Sequence, residues 1–180
     1  MLRTAHMLAK AGSRTVWVDL RRHGKSTGKW LTYGVQEAKD LSQVIDELAL
    51  RDLVKGKLGV YGISYGATTS IQLAGNDPRV QVVVAVAPFS TMRNEVPNYS
   101  RTVLPGVERL ISDDDIQQAV DATGVHGQFD PDLASGIEAI KRTKTRVLIV
   151  HGSDDWLVPP YHALRLYEAA EDRARLVFIP

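Results

Sequence analysis

The fold of this 180-residue chain follows from one stretch, Gly59-Val60-Tyr61-Gly62-Ile63-Ser64-Tyr65-Gly66-Ala67. The apolar run Leu58–Ile63 predicts a buried strand, and the run Ala67–Gly75 predicts a helix. Between them lies Gly-x-Ser-x-Gly, in which small residues on either side of Ser64 let the strand and the helix approach closely. A serine on so sharp a turn is held out from the sheet, with the positive end of the following helix directed at it.

This pattern predicts a nucleophile elbow, because the strand and the helix that the motif requires are both present. A serine nucleophile also needs a histidine to accept its proton and a carboxylate to orient that histidine. The alternative is a glycine-rich strand-to-helix turn in some other α/β fold, which the bare motif does not exclude.

The composition is that of one ordinary globular domain, with 44% hydrophobic residues and a net charge of +1. This balance gives no reason to expect nucleic acid or an anionic membrane as a partner. The chain has no cysteine, which excludes disulfides, thiol catalysis and thiolate metal sites. No apolar stretch approaches the ~20 residues of a membrane span, and no signal peptide is recognisable. We expect a cytoplasmic protein, provided that Met1 is the true N-terminus.

Helical and extended segments alternate along the chain, which predicts a mostly parallel, doubly wound α/β sheet of about five strands. The predicted strands are Thr15–Val18, Leu58–Ile63, Val80–Ala87, Arg146–Val150 and Leu176–Ile179. Residues 1–180 are interpreted as a single core domain. Residues 89–145 interrupt the alternation and are interpreted as a small helical lid or insertion, within which Ser112 and Asp115 have the spacing of a capping box.

Three polar loops follow predicted strands, at the end of an open α/β sheet where ligands bind. Asp19–Gly28 follows the first strand, Ser64 the second, and His151–Pro159 the fourth. The last loop contains two neighbouring aspartates and therefore supplies a carboxylate after the serine, in the chain order that this motif favours. Trp17, Trp30 and Trp156 could line an acyl pocket. Trp156 is the best candidate because it lies next to Asp155, whereas we expect Trp17 in the core.

Taken together, these motifs resemble an α/β-hydrolase of the bacterial serine-hydrolase kind related to serine aminopeptidases and X-Pro-type peptidases. The resemblance covers nearly the whole chain and rests on Asp19–Gly28, Tyr61–Ala67, Asp77–Val80, Ala87–Ser90 and the His-Gly-x-x-Asp-x-x-Val-Pro pattern of His151–Pro159. It implies the α/β-hydrolase fold with a small lid. It also implies a serine hydrolase that cleaves an ester or amide bond of a small molecule or peptide through an acyl-enzyme.

The resemblance also implies roles for individual residues. Ser64 is then the nucleophile, and Asp155, rather than Asp154, is the triad acid. Tyr65 gives one oxyanion-hole N–H from its backbone. Neither a metal nor a cofactor is expected.

Both ends of the chain depart from the family pattern. In the family the catalytic histidine follows the last strand within a few residues, whereas this sequence stops at Pro180. A His-Gly oxyanion loop also precedes the helix in which Met1 lies. We therefore expect a chain truncated at both ends, with the catalytic histidine beyond residue 180 and little activity in the fragment itself. His162 is the local substitute to test, although a packing role is the more ordinary one.

Two other functions stay open. One is a non-catalytic or truncated hydrolase-like domain. The other is a Rossmann-type nucleotide binder that reuses the glycine-rich turn, although Gly24-Lys25-Ser26 lacks the first glycine of a P-loop because Asp19 occupies that position. Asp113–Asp115 could hold a hard cation, but acids in a first helical turn favour the helix dipole without any metal. The substrate and the oligomeric state cannot be read from the sequence.

Overall fold

The computed structural model describes residues 2–180, apart from the side chains of Leu2 and Glu108. The chain divides into two compact units, Met1–Trp30 and Leu31–Pro180. The smaller unit contains α1 (Leu2–Lys10) followed by irregular backbone. Gly12 ends this helix with a φ of 85°, a left-handed conformation that glycine adopts without strain.

The larger unit alternates helices with the strands of one sheet. Its elements in chain order are α2 (Val35–Leu50), β1 (Leu58–Ile63), α3 (Tyr65–Asn76), β2 (Val80–Val86), α4 (Met92–Val103), α5 (Asp113–Gly127), α6 (Gly136–Arg142), β3 (Arg146–Gly152), α7 (Tyr161–Ala170) and β4 (Ala174–Ile179). The predicted strands from β1 onward are therefore confirmed, with ends that differ by at most two residues.

The sheet is parallel, and its four strands lie in the order β1-β2-β3-β4. Gly62 pairs with Ala85, Ala85 with Ile149, and Ile149 with Leu176. This arrangement confirms the α/β class and a parallel sheet. Because all four strands run in one direction, the loops that follow β1, β2 and β3 meet at one edge of the sheet.

The prediction of a fifth strand at Thr15–Val18 is wrong, because these residues form no strand in the structure. Val16, Trp17 and Val18 are 52%, 44% and 41% exposed, so Trp17, expected in the core, lies at the surface. A β-branched run favours extended backbone, but a strand forms only where its N–H and C=O groups meet a partner strand. The sheet of the larger unit has four strands, and β1 lies at its edge.

Helices α2, α3, α6 and α7 form one layer that covers one face of the sheet. The core between them is apolar and tightly closed, and its largest fully buried side chains include Ile71, Leu73, Val83, Ile140, Ile149 and Leu166. On the opposite face, Tyr61, Ile63 and Val82 are 36%, 40% and 42% exposed. At Val82, β2 is therefore not covered on this face.

A second apolar cluster joins the predicted insertion to the start of α2. Helices α4 and α5 pack around it, and its buried members are Val35, Met92, Val120, Phe129 and Ala134. The guanidinium of Arg93 donates to Asp121 and Asp132 at 2.7 and 2.5 Å and so joins α4 to α5 and the segment after it. The interpretation of residues 89–145 as a lid stays a prediction.

Two predictions about the start of α5 can be compared with the structure. The Ser112 hydroxyl accepts from the Asp115 N–H, and the Asp115 carboxylate accepts from the Ser112 N–H, so the capping box is confirmed. The Ser112 hydroxyl and backbone N–H also hold the pKa of Asp115 below its usual value. Among the described residues, no group of three or more acidic, histidine or cysteine side chains is arranged to hold a metal ion.

Within residues 2–180, none of the helices combines the length and the apolar character that a membrane span requires.

The Asp77–Arg79 motif ties α2 to the start of β2. Asp77, 3% exposed, accepts hydrogen bonds from the Ser42 hydroxyl and the Arg79 guanidinium, each at 2.6 Å. Arg79 also donates to Asp46 on α2 at 2.6 Å. The Arg79 guanidinium holds the pKa of Asp77 well below its usual range. This network lies at the amino end of the sheet, opposite to the loop that carries Ser64.

Candidate active site

Ser64 lies at the junction of β1 and α3, where its backbone has a φ of 50° and a ψ of −115°. Its N–H donates to the carbonyl of Val86 at the end of β2, at 2.8 Å. A positive φ in a non-glycine residue costs of the order of 1–3 kcal/mol and persists only where surrounding structure enforces it. The strand pairing on one side and the helix on the other enforce it here.

The sharp turn depends sterically on Gly62. A Cβ added at Gly62 would lie 2.1 Å from the carbonyl oxygen of Gly66, a contact between backbones that cannot relax cheaply. A Cβ added at Gly66 would meet nothing within 4 Å. The close approach that the motif predicts is therefore present, but only the first of the two glycines is required for it.

The Ser64 side chain is half-buried, and its hydroxyl has no hydrogen-bond partner among the described residues. Tyr65 is the first residue of α3. The first N–H groups of a helix have no partner within the helix, and they carry the positive end of its dipole. Ser64 thus combines an accessible hydroxyl with an adjacent backbone N–H that can stabilise negative charge.

The loop after β3 holds its two aspartates differently. Asp155 Oδ1 accepts from the backbone N–H groups of Leu157 and Val158, at 3.0 and 2.9 Å, which fixes the carboxylate and leaves Oδ2 for another donor. Asp154 is exposed, and no hydrogen bond of its side chain is found within residues 2–180. The geometry therefore favours Asp155 over Asp154 as an orienting carboxylate.

Ser64 and Asp155 both lie at the carboxyl end of the parallel strands, Ser64 after β1 and Asp155 after β3. The Ser64 N–H donates to Val86, and the Ala87 N–H donates to Val150, so the ends of β1, β2 and β3 are joined in sequence. Strands β1 and β3 are two strand spacings apart, which is ~10 Å between backbones.

The histidines of the larger unit are engaged elsewhere. His151 is fully buried, and its Nε2 donates to the carbonyl of Val158 at 2.7 Å, with Asp155 Oδ2 at 3.8 Å. His126 is exposed on α5. Neither arrangement presents an imidazole to Ser64.

His162 belongs to a separate buried cluster. Both the N–H and the hydroxyl of Ser90 lie on its Nδ1, at 3.1 and 2.8 Å. Its Nε2 is 3.0 Å from Glu95 Oε2, and the ring of Tyr161 stacks on it. Ser90 and His162 are both 0% exposed. The packing role expected for His162 is what the structure shows.

The phenol of Tyr65 reaches a carboxylate that the sequence analysis missed. Its hydroxyl donates to Glu37 Oε1 at 2.8 Å, and Glu37 is 0% exposed. Burial, and next the negative charge of Glu37, raise the pKa of Tyr65 far above its ordinary value, so the phenol stays protonated. The sequence signal for Glu37 is its position three residues after Gly34, at the start of α2, which suggests a helix cap and nothing more.

Trp156 is 73% exposed. Its carbonyl accepts a hydrogen bond from the Thr102 hydroxyl on α4, at 3.4 Å. The residue thus lies at the surface, on a loop whose backbone contacts α4 of the predicted insertion. Its place in a substrate pocket stays a prediction.

The turn at Asp19–Gly28 in the smaller unit does not have P-loop geometry. Asp19 organises it, since its Oδ2 accepts from the Lys25 N–H at 3.1 Å and its carbonyl accepts from the Ser26 hydroxyl at 2.7 Å. A P-loop joins a strand to a helix and directs its N–H groups at phosphate. Here the residues form successive turns with neither element on their flanks.

Comparisons with known proteins agree with this fold. The curated relative is the uncharacterized protein YqkD of Bacillus subtilis, 28% identical over 169 residues, which are 93% of this chain and 54% of the relative. The esterase Pf2001 of Pyrococcus furiosus superposes with a TM-score of 0.65 and 19% identity, over 88% of this chain and 58% of that one. The acylaminoacyl peptidase of Pyrococcus horikoshii superposes with a TM-score of 0.59 and 17% identity, over 82% of this chain and 23% of that one.

The chain spans about half the length of the curated relative that it matches. The two solved structures are too distant in sequence to show more than the α/β-hydrolase fold, which they share with this chain. Residues 1–123 match the family described as X-Pro dipeptidyl-peptidase (S15 family). That match extends through α2, β1, α3 and β2, the elements that build the turn at Ser64. The chain therefore belongs to the X-Pro dipeptidyl-peptidase (S15) family.

Proposed function

We propose that the protein is a serine hydrolase that cleaves an ester or amide bond through an acyl-enzyme on Ser64. The observation that carries the proposal is the conformation of Ser64, a strained residue between β1 and α3 whose half-buried hydroxyl is bonded to no described residue. Such strain persists at sites where it serves a function. Family membership, reached through the residues that build this turn, supports the same chemistry.

In the proposed reaction, the Ser64 hydroxyl attacks the substrate carbonyl and gives its proton to a histidine. The backbone N–H of Tyr65 at the start of α3 stabilises the oxyanion that forms. The same histidine then protonates the leaving alcohol or amine, and water releases the acid by the reverse sequence. Asp155 orients the imidazole through Oδ2, the oxygen that its own loop leaves open.

The histidine in this proposal follows β4 in the whole protein. The three histidines of the larger unit support it, because His151 and His162 are buried and bonded elsewhere and His126 is exposed on α5. The family name and the peptidase among the solved structures make a peptide with proline in the second position a substrate to test. The likeness to the Pyrococcus furiosus esterase makes short acyl esters the second class of substrate to test.

The proposal is tested by fluorophosphonate labelling of the protein expressed from its complete reading frame. The probe phosphonylates only an activated serine, so we expect one label, which peptide mass spectrometry places on Ser64. Ser64→Ala should abolish the label, and Ser90→Ala, the matched control, should keep it. A folded protein that takes no label would instead be the non-catalytic hydrolase-like domain. Hydrolysis of Xaa-Pro anilides against p-nitrophenyl esters then separates peptidase from esterase.

A further inference from the structure

Glu37 holds a carboxylate in the interior with all of its acceptor positions occupied. Oε1 accepts from the Thr32 N–H at 2.9 Å and from the Tyr65 hydroxyl at 2.8 Å. Oε2 accepts from the Thr32 hydroxyl at 2.6 Å and from the Gly34 N–H at 2.9 Å. Burying a carboxylate is costly unless such partners compensate it. Glu37 is 0% exposed, and its four hydrogen-bond donors supply this compensation.

Helix capping explains only part of it. A glutamate in the first turn of a helix caps by accepting from the N-cap N–H, which here is the Gly34 bond. The bond to Tyr65 crosses 28 residues of sequence and reaches the residue directly after Ser64. Capping needs no such link.

We infer that Glu37 is a positioning residue: by holding the phenol of Tyr65 it fixes the orientation of the Tyr65 backbone N–H that faces the oxyanion. The inference rests on the proposed function, since it assigns Glu37 to the same site. Tyr65 is anchored at both ends, with its N–H at the start of α3 and its hydroxyl on Glu37. Its hydroxyl is thereby committed to the interior.

The anchor itself is built on a strained turn. Tyr33 has a φ of 53° and Gly34 a φ of 98°, so two consecutive residues are left-handed. Both backbone polar groups of Tyr33 are hydrogen-bonded. Its N–H donates to the Tyr65 hydroxyl at 2.8 Å, and its carbonyl accepts from Gln72 Nε2 at 2.6 Å. Both partners lie on α3. Glu37 thus connects a turn that cannot relax freely to the helix that begins beside Ser64.

The phenol is a lasting donor in this arrangement. Burial, and next the charge of Glu37, raise the pKa of Tyr65, so the phenol keeps its proton at neutral pH. The rings of Tyr33 and Phe89 lie 5.7 and 6.4 Å from the Tyr65 ring and restrict its rotation. The bond between this phenol and Glu37 is therefore best tested by substitution.

The test uses Tyr65→Phe, Glu37→Gln and the double variant in the protein expressed from its complete reading frame. Tyr65→Phe keeps the ring and removes the hydroxyl, which breaks the bond to Glu37 and also the bond that the Tyr33 N–H makes to this hydroxyl. Deleting an oxyanion donor costs about 10²–10³-fold in kcat. Because these variants misplace a donor without deleting it, we expect each to lower kcat about tenfold and to leave KM within about twofold. The double variant should be no slower than the slower single variant, because all three break one link.

Asp77→Asn is the matched control. Asp77 is also a buried carboxylate bonded to a hydroxyl and to a second donor, but it lies at the opposite end of the sheet. It should lower the melting temperature and leave kcat unchanged. If the Tyr65 and Glu37 variants behaved in the same way, Glu37 would be a structural residue only and the inference would fall. If the wild-type protein took no fluorophosphonate label, the proposed function and the inference would fall together, so the two failures are distinguishable. If Glu37→Gln did not unfold cooperatively, Tyr65→Phe alone would decide.

Discussion

Two serines follow neighbouring strands of the sheet, and their surroundings are opposite. Ser90 follows β2 and is completely buried, with the imidazole of His162 at 2.8 Å and the carboxylate of Glu95 on the far side of that imidazole. Ser64 follows β1, is half-buried and has neither group within hydrogen-bonding distance among the described residues. By residue type, Ser90 has the complete triad. By accessibility and backbone strain, Ser64 is the candidate nucleophile.

The difference teaches that a row of serine, histidine and carboxylate is not sufficient for catalysis. The Ser90 N–H donates to His162 Nδ1, so that nitrogen already accepts a backbone hydrogen bond. A base must be free to take a proton from a hydroxyl that a substrate can reach. The Ser90 cluster instead is completely buried and joins α4 to α7 through the contact between Glu95 and His162, which favours a structural role.

The largest expected effect separates the two serines directly. Ser64→Ala should lower ester or anilide turnover by at least about 10³-fold, because it removes the atom that forms the acyl-enzyme. The melting temperature should not fall, since alanine leaves no buried polar group unpaired. Initial rates and thermal unfolding of the same preparation check both statements. Turnover above one tenth of the wild-type value would remove Ser64 from its assigned role.

The next effect tests whether the carboxylate near Ser64 is the working one. Asp155→Asn should lower kcat by about 10²–10⁴-fold, because the amide cannot orient the imidazole as the carboxylate does. Asp154→Asn is the control in the neighbouring position and should change kcat less than about twofold. The kcat values of both variants decide. If their effects were reversed, the assignment in this loop would be off by one residue.

A smaller effect should come from the imidazole of the buried cluster. His162→Ala leaves Ser90 and Glu95 without their shared partner inside the protein. An uncompensated buried carboxylate costs about 3–5 kcal/mol, so urea denaturation should show a loss on that scale. Without urea, where the variant is still folded, the rate of fluorophosphonate labelling at Ser64 should equal that of the wild-type protein. If the folded His162→Ala variant lost the labelling of Ser64, His162 would be the base, and the structural role would be contradicted.

The smallest effect is expected at the second serine. Ser90→Ala removes one hydroxyl but keeps the Ser90 N–H bond to His162. Losing one partner of a buried hydrogen bond costs about 1–3 kcal/mol. The urea midpoint should therefore fall by less than in His162→Ala, and turnover should not change. Loss of activity equal to that of Ser64→Ala would overturn the comparison.

Sequence patterns predicted the parts of the molecule whose physics is local. The strand at Leu58–Ile63, the helix after Ser64 and the capping box at Ser112 each depend on neighbouring residues, and each is present. The extended run at Thr15–Val18 has the composition of a strand. It failed because a strand also needs a partner, and pairing is a long-range property that periodicity does not encode.

The same distinction explains what was missed near Ser64. Glu37 looked like one more acid at the start of a helix, and Thr32 like an ordinary loop residue. Their importance arises from contacts with Tyr65, which lies 28 residues from Glu37 in the chain. In the same way, the burial of Ser90 by His162 joins positions 72 residues apart. A single sequence shows residue types at such distances but not their meeting.

The surface position of the tryptophans has a practical consequence in spectroscopy. Trp17, Trp30 and Trp156 are 44%, 38% and 73% exposed, and these three are the chain's tryptophans. Intrinsic fluorescence will therefore report poorly on unfolding of the core. Replacing Trp17 and Trp30 by phenylalanine would leave Trp156, next to Asp155, as the one tryptophan, which is excited selectively at wavelengths that tyrosine does not absorb. Its emission maximum and its quenching by acrylamide would then read out, in a single cuvette, whatever binds beside that loop.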